Sequence, residues 1–205
     1  MSILKMLILI IVGPDKETYM SLAKKMSDNE LVEKINTSKD SQLFGILYDR
    51  YGDKVYNKCF SFAKNDSAAK DLTQEIFLKV FLKLKLFNSE KASFSTWLYV
   101  ITYNYCINYV NRDVKKKHIS ERMDDHEYHL ADEEVHIDEI NTFDAEKLTK
   151  ALELLSPEEK SILLLKYQDD VSIKELQASF DVGESAIKMR LNRAKAKVVK
   201  IYDTL

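Results

Sequence analysis

A helix near the carboxyl end of the sequence carries the side chains best suited to contact DNA. It follows Gly183, and its predicted inward stripe consists of Ile187, Leu191, Ala194, Val198 and Ile201. Its opposite side presents Ser185, Lys188, Met189, Asn192, Arg193 and Lys200. Long cations contact phosphates, and hydroxyl or amide tips contact base edges in the major groove. The pattern therefore favours DNA binding over a merely solvated basic face.

The residues before this helix complete a helix-turn-helix pattern. Ser172 with Glu175 predicts a capping box, and the short helix that it starts would end at Phe180, before a tight turn. The tetrapeptide SPEE at 156–159 predicts another capped helix upstream. In a helix-turn-helix domain the second helix enters the major groove, which agrees with the cations found there.

A second helix combines aromatic rings with cations at its end. Ser93 or Ser95 can cap it, and its sequence FSTWLYVITYNYCINYVNRDVKK would run from Phe94 to about Lys116. Aromatic rings can stack on unpaired bases, each stack contributing about 1–3 kcal/mol. The alternative is that most rings belong to the core. Trp97 is expected to be structural, because an indole is costly to expose.

The stretch DLTQEIFLKVFLKL (71–84) predicts a helix that is too apolar for a single buried face. We expect Asp66 to precede this helix, which would run to about Phe87. A surface helix has one apolar stripe and one polar side. Here the polar side also contains Leu78 and Leu82. Either a neighbouring helix around 31–35 covers these two leucines, or a partner protein does.

Enzyme chemistry has few candidate residues in this sequence. There is no phosphate-binding glycine loop and no nucleophile–base pair. Cys59 and Cys106 lie in apolar helical patterns, which predicts reduced core residues and fits a cytosolic protein. The four histidines, which could suggest a metal-dependent enzyme, are His118, His126, His129 and His136. Their segment lacks the scaffold of a preorganised site, so we expect no metal and no cofactor.

Composition and charge predict an all-α fold of two small helical domains joined by an acidic linker, with the helix-turn-helix in the second. Only four Gly and two Pro occur among 205 residues. The net charge of −2 averages over segments of different charge. Residues 118–146 are strongly acidic, with eleven acidic residues and one basic residue. We expect one domain over 27–117, a flexible linker over 118–146 and a second domain over 147–205. This linker either follows a partner's surface or holds the basic DNA-binding faces shut.

Residues 1–26 are expected to be an N-terminal extension. The apolar run ILKMLILIIV (3–12) is too short to span a bilayer as a helix. Met20 and Met26 offer later starts, so the extension is either a start-site artefact or a disordered segment. A signal peptide and a short membrane-contacting stretch are the alternatives, although Lys5 alone is a thin basic region.

Taken together, these patterns resemble the sigma-70 family of bacterial RNA polymerase sigma factors, in particular its small extracytoplasmic-function (ECF) group. The resemblance runs from about Gln42 to Val199. LYDRYGDKVYN resembles the start of region 2, and DLTQEIFLKVFLKL its polymerase-binding helix. FSTWLYVITYNYCINYVNRD resembles the promoter-melting and −10-reading helix. LELLSPEEKSILLLKYQDDVSIKEL and the helix-turn-helix resemble region 4.

The resemblance implies a non-enzymatic protein that binds core RNA polymerase at the clamp helices of its largest subunit and at its flap. It implies polymerase contacts for Asp71, Gln74, Glu75, Leu78 and Leu82. It implies −10 contacts for Asn88, Ser89, Lys91, Ser93, Asn104, Asn108 and Arg112. It implies −35 contacts for Ser185, Lys188, Met189, Arg190, Asn192 and Arg193. Promoter DNA is the implied nucleic-acid partner. An anti-sigma factor, commonly membrane-bound in this family, is a candidate protein partner. No small-molecule substrate is implied.

Two departures from the family pattern bear on function. Tyr103 stands where the family often has Arg before Asn104, which reduces the charge of the melting face. Asp181 stands in the turn where Gly is usual, and Asp tolerates a left-handed backbone better than most residues. The alternative function is a stand-alone helix-turn-helix regulator. The first block, however, lacks the strand–helix alternation of a receiver domain.

Overall fold

The computed structural model describes residues 16–38, 40, 42–120 and 144–205, with side chains from 19–38, 40, 42–112 and 144–205. All regular structure in these ranges is helical, which confirms the all-α prediction. The helices are α1 (Lys16–Ala23), α2 (Asp28–Ser38), α3 (Gln42–Ala63), α4 (Asp66–Lys83), α5 (Phe94–Ser120), α6 (Ala145–Glu153), α7 (Pro157–Leu163), α8 (Ile173–Phe180) and α9 (Glu184–Thr204).

The N-terminal domain is a bundle in which α3 packs against both α4 and α5. Helix α4 buries its apolar stripe of Leu72, Ile76, Phe77 and Val80. Its cap differs by one residue from the prediction, because Asn65 rather than Asp66 accepts a hydrogen bond from the backbone N–H of Ala68. The α-helix ends at Lys83, and a 3-10 turn over Leu84–Leu86 replaces its predicted last turn.

The C-terminal domain contains the helix-turn-helix formed by α8 and α9, as predicted. Both predicted capping boxes are present, at Ser156 with Glu159 and at Ser172 with Glu175. In the turn, Asp181 adopts the left-handed conformation with φ of 52°. The predicted inward stripe of α9 is also confirmed: Ile187, Leu191 and Ala194 are buried, and Val198 and Ile201 pack partly buried against the core.

The two domains contact each other beside a π-helical turn at the end of α7. This turn, Leu164–Gln168, directly precedes Asp169. Asp169 forms an ion pair with Lys58 of α3, and Lys160 of α7 donates a hydrogen bond to the carbonyl oxygen of Ser61. The C-terminal domain therefore rests on the α3–α5 side of the N-terminal bundle.

The two cysteines are free and buried, as the sequence predicts. Most of the predicted acidic linker, 118–146, lies outside the described residues, which leave out residues 121–143 and the side chain of His118. The predicted linker and its histidines are therefore not addressed by the structure. None of the described helices combines the length and the apolarity that a bilayer crossing demands.

Candidate polymerase and nucleic-acid interfaces

The outer face of α4 exposes the two leucines that the sequence singles out. Leu78 is 61% exposed and Leu82 is 69% exposed. The alternative prediction, that the helix around 31–35 covers them, is therefore wrong. Leu31, Val32 and Ile35 of α2 are themselves buried in the core. The polar residues predicted beside the leucines, Asp71, Gln74 and Glu75, are exposed as well.

Two further apolar residues extend this face, and sequence periodicity alone did not assign them to it. Leu86 of the 3-10 turn is exposed. Phe81 is partly exposed, and its ring meets Phe44 edge-on with centroids 5.0 Å apart. Helix α4 is thus anchored by one buried stripe and presents apolar side chains within a polar rim on its other side. Such a surface suits a protein partner.

The loop between α4 and α5 rests on a cluster of aromatic rings. The Phe87 ring lies 5.7 Å from Phe94 and 5.5 Å from Trp97, between centroids. Trp97 packs partly buried against the core, which confirms its structural assignment. Above this cluster Asn88, Ser89 and Lys91 are exposed. The side chain of Asn88 accepts a hydrogen bond from the backbone N–H of Glu90 at 2.8 Å, so the loop is locally ordered.

Ser93, the last predicted −10 residue of this loop, is held by the C-terminal domain. Its hydroxyl caps α5 by accepting a hydrogen bond from the N–H of Thr96 at 3.1 Å. One carboxylate oxygen of Glu175 accepts from the Ser93 N–H at 3.2 Å and from the Thr96 hydroxyl at 3.0 Å. Burial opposes ionisation of Glu175, yet these bonds and those from Ser172 together hold its pKa below the ordinary value.

The outer face of α5 keeps Asn104, Asn108 and Arg112 exposed. Asn108 and Arg112 line a cleft of about 590 Å³ together with the partly buried rings of Tyr105 and Tyr109. Asp71 and Glu75 of α4 line the opposite wall. Two of the predicted −10-reading residues, Asn108 and Arg112, and two of the predicted polymerase-binding residues, Asp71 and Glu75, therefore border one cleft. The loop residues of the −10 set and Asn104 do not line it.

Tyr103 is not part of this outer face. It is 1% exposed, and its hydroxyl donates to Asp169 at 3.0 Å and accepts from the Lys58 ammonium at 3.2 Å. Burial, and then the charge of Asp169, raises the pKa of Tyr103 well above its ordinary range. The sequence identified Tyr103 as unusual but gave no signal for Lys58 or Asp169, because no local pattern connects them.

Helix α9 presents all six predicted −35 residues to solvent. Lys188 forms an ion pair with Glu184, one helical turn earlier, at 2.6 Å. Met189 supplies an exposed apolar tip between the polar side chains. Behind this surface, the Lys195 ammonium lies over the ring of Tyr167, 4.9 Å from its centroid. The outer face of α9 is thus cationic.

Comparison with known protein families agrees with this geometry in both domains. Residues 47–115 match the family Sigma-70 region 2, and residues 145–198 match the family Sigma-70, region 4. The chain belongs to the sigma-70 family of RNA polymerase sigma factors. The matched ranges contain the exposed leucines of α4, most of α5 and the helix-turn-helix. Such factors are in general non-catalytic and direct transcription initiation from promoters.

Curated relatives place this sigma factor in the ECF group. It is 24% identical over 168 residues to the ECF RNA polymerase sigma factor SigW of Bacillus subtilis, covering 78% of this chain and 89% of the relative. It is 28% identical over 163 residues to the RNA polymerase sigma factor YlaC of the same organism, covering 75% and 88%. Against BldN of Streptomyces coelicolor, another ECF sigma factor, identity is 25%, covering 84% and 64%.

Solved structures show the same fold. CnrH in complex with the cytosolic domain of CnrY aligns with a TM-score of 0.57 at 19% identity, covering 86% of this chain and 97% of the other. The sigma factor RpoE of Bartonella quintana, solved with the anti-sigma factor NepR, aligns with a TM-score of 0.53 at 17% identity, covering 82% and 98%. Family membership decides against a stand-alone regulator.

Proposed function

We propose that this sigma factor docks on core RNA polymerase through the outer face of α4. The supporting observation is the exposure of Leu78 and Leu82 on a helix whose other face is fully engaged in the core. Apolar anchors in a polar rim are the usual centre of a protein interface. The family resemblance names the occupant as the clamp helices of the largest subunit, with Asp71, Gln74 and Glu75 in the rim.

We propose further that α5 and the loop before it read the −10 element, and that α9 reads the −35 element. The −10 set is Asn88, Ser89, Lys91, Ser93, Asn104, Asn108 and Arg112, and the −35 set is Ser185, Lys188, Met189, Arg190, Asn192 and Arg193. The cationic outer face of α9 supports the second assignment, and the tyrosine-lined cleft supports the first. An extruded base would gain stacking contacts that offset part of its unstacking cost.

We also propose that the protein catalyses no reaction and works in the cytoplasm. The C-terminal domain contacts the polymerase flap. An anti-sigma factor regulates it, since RpoE of Bartonella quintana was solved with such a partner. The functional units are 27–117 and 147–205, connected by 118–146.

Reconstituted transcription tests the docking surface. The full chain is mixed with bacterial core polymerase and genomic promoter fragments, and transcripts with defined starts are counted. The double variant Leu78→Asp with Leu82→Asp is expected to lose polymerase binding and these transcripts. The matched control is Leu22→Asp, which charges a similarly exposed leucine on α1. Full activity of the double variant would contradict the proposal, and DNA binding without polymerase binding would favour a stand-alone regulator.

A further inference from the structure

The first residue of α9 carries a carboxylate next to the proposed −35 residues, whose charged members are all cations. Glu184 begins the helix, and its side chain is 56% exposed. Its carboxylate forms an ion pair with the Lys188 ammonium, one helical turn later, at 2.6 Å. The outer end of α9 thus presents, beside a cation, a charged group that can only accept hydrogen bonds.

A carboxylate at this position has a purely structural explanation as well. Negative charge near a helix N-terminus stabilises the helix, and a Glu–Lys pair four residues apart adds to that effect. On DNA, however, phosphates repel an exposed carboxylate. The ammonium of Lys188 neutralises this charge at short range, so that Glu184 can enter a groove without opposing binding. The structural explanation requires a residue that is indifferent to DNA sequence, and this difference can be measured.

Glu184 occupies a position from which a helix-turn-helix contacts base edges. The second helix of this motif lies in the major groove, and its N-terminal residues contact the bases. In that groove only cytosine, through N4, and adenine, through N6, donate hydrogen bonds, whereas guanine and thymine present oxygen or nitrogen acceptors. Adenine carries its N7 acceptor next to the amino group, while cytosine presents the donor alone. A carboxylate, which only accepts, therefore fits cytosine best.

We propose that Glu184 is a specificity-determining residue of the −35 surface, and that its carboxylate accepts a hydrogen bond from the N4 amino group of one cytosine. Lys188 holds this carboxylate and directs its remaining N–H donors to a phosphate. The inference rests on the proposed −35 role of α9, and it adds a residue outside the −35 set together with the base that this residue reads. Lys188 then supports binding to every sequence, and Glu184 selects among sequences.

Selection of DNA duplexes by the full chain tests this assignment. A pool of duplexes with a randomised central segment gives the sequence that the wild-type protein prefers, and duplexes that replace one base pair of it at a time measure the preference at each position. We expect one position where cytosine is preferred over every other base by about tenfold or more. Glu184→Gln should lose this preference and shift it toward adenine, because an amide both donates and accepts.

Two further variants separate the contact from the charge. Glu184→Asp keeps the charge but withdraws the carboxylate by one methylene group, so it should lose the preference for cytosine without binding other duplexes more tightly. Glu184→Ala should lose the preference and bind duplexes without that cytosine about threefold more tightly, since a negative charge is removed. The matched control is Glu146→Gln, in the first turn of α6. That helix starts beside the far end of α9, where Asp144 donates its backbone N–H to Tyr202, so this variant should bind every duplex as the wild-type protein does.

The inference is overturned if Glu184→Gln and the wild-type protein prefer the same base at every position. An equal change of affinity for all duplexes would mean that Glu184 only pairs with Lys188 and stabilises the helix, and the −35 role of α9 would stand on the remaining preferences. If the wild-type protein binds the duplexes with no base preference, the −35 role fails and this inference fails with it. Thermal unfolding establishes that each variant is folded, and should one of the three unfold, the other two decide.

Discussion

The N-terminal domain exposes leucines where the C-terminal domain exposes lysines and arginines. Each surface lies on one helix of its domain, α4 in the N-terminal domain and α9 in the C-terminal domain, and the opposite side of each helix is buried. Apolar anchors gain affinity by leaving water, which depends little on salt. Cations gain affinity on DNA by releasing counterions, which depends strongly on salt. The two domains should therefore respond differently to salt and to truncation of their exposed side chains.

The largest effect is expected from a substitution in the core of the C-terminal domain, which should leave the N-terminal domain folded. Leu176 of α8 is fully buried, and Leu176→Ala should destabilise the C-terminal domain by about 2–5 kcal/mol through lost burial and a cavity. Thermal unfolding and −35 duplex binding measure the loss, and the exposed Leu154→Ala is the control. Polymerase binding through α4 should persist. Equal loss of both activities would show that the domains do not act separately.

The next effect concerns the apolar surface. Leu82→Ala should weaken polymerase affinity by about 2 kcal/mol, near thirtyfold, because a central anchor is removed. The thermal stability of the chain should not change, since this side chain is exposed. A titration at low and high salt should give the same loss at both. A loss that disappears at high salt would mean that the contact is electrostatic.

The cationic surface should give a smaller effect with the opposite salt behaviour. Lys188→Ala should weaken −35 duplex binding by about 1 kcal/mol at moderate salt and reduce the salt slope by about one. Binding isotherms over a salt series measure both quantities, with Lys70→Ala as a control outside the DNA face. If the salt slope stayed unchanged and the variant lost its preference for one base pair of the −35 element, Lys188 would contact a base rather than a phosphate.

The smallest effect comes from the cap of α7. Burial opposes ionisation of Glu159, but bonds from Lys197 and Ser156 together hold its pKa below the ordinary 4.5. Its contribution is therefore complete above that ordinary pKa and is lost as pH falls through the lowered value. Glu159→Gln should cost about 0.5–1 kcal/mol near neutral pH and less in acid. Unfolding midpoints across that pH range test this, and a growing loss in acid would contradict it.

Much of the fold could be predicted because its signals are local. The capping boxes at Ser156 and Ser172 each involve groups three residues apart, so sequence alone located both helix starts. The exposed leucines of α4 were also predictable, because they violate a helical period that their neighbours obey. The cap of α4 was misplaced by one residue, since adjacent Asn65 and Asp66 are both good capping residues.

The choice between the two explanations for Leu78 and Leu82 required the tertiary structure. Periodicity shows that a second apolar face exists, but it cannot show whether another helix covers it. The packing of α2 resolved the question, because its apolar residues are used in the core and leave those leucines exposed. In the same way, sequence marked Ser93 as a cap but could not place Glu175 beside it.

The sequence by itself determined the helices, their caps, the helix-turn-helix and the faces that had to be buried or exposed. Those features arise from contacts within one or two helical turns, where residue type and spacing suffice. Only the tertiary structure brought together Lys58 and Asp169, which are 111 residues apart. Their pairing depends on how the two domains pack, and a charged residue in a sequence does not indicate which distant residue will pair with it. The physical reason is that a buried charge specifies the need for a counter-charge but not its source.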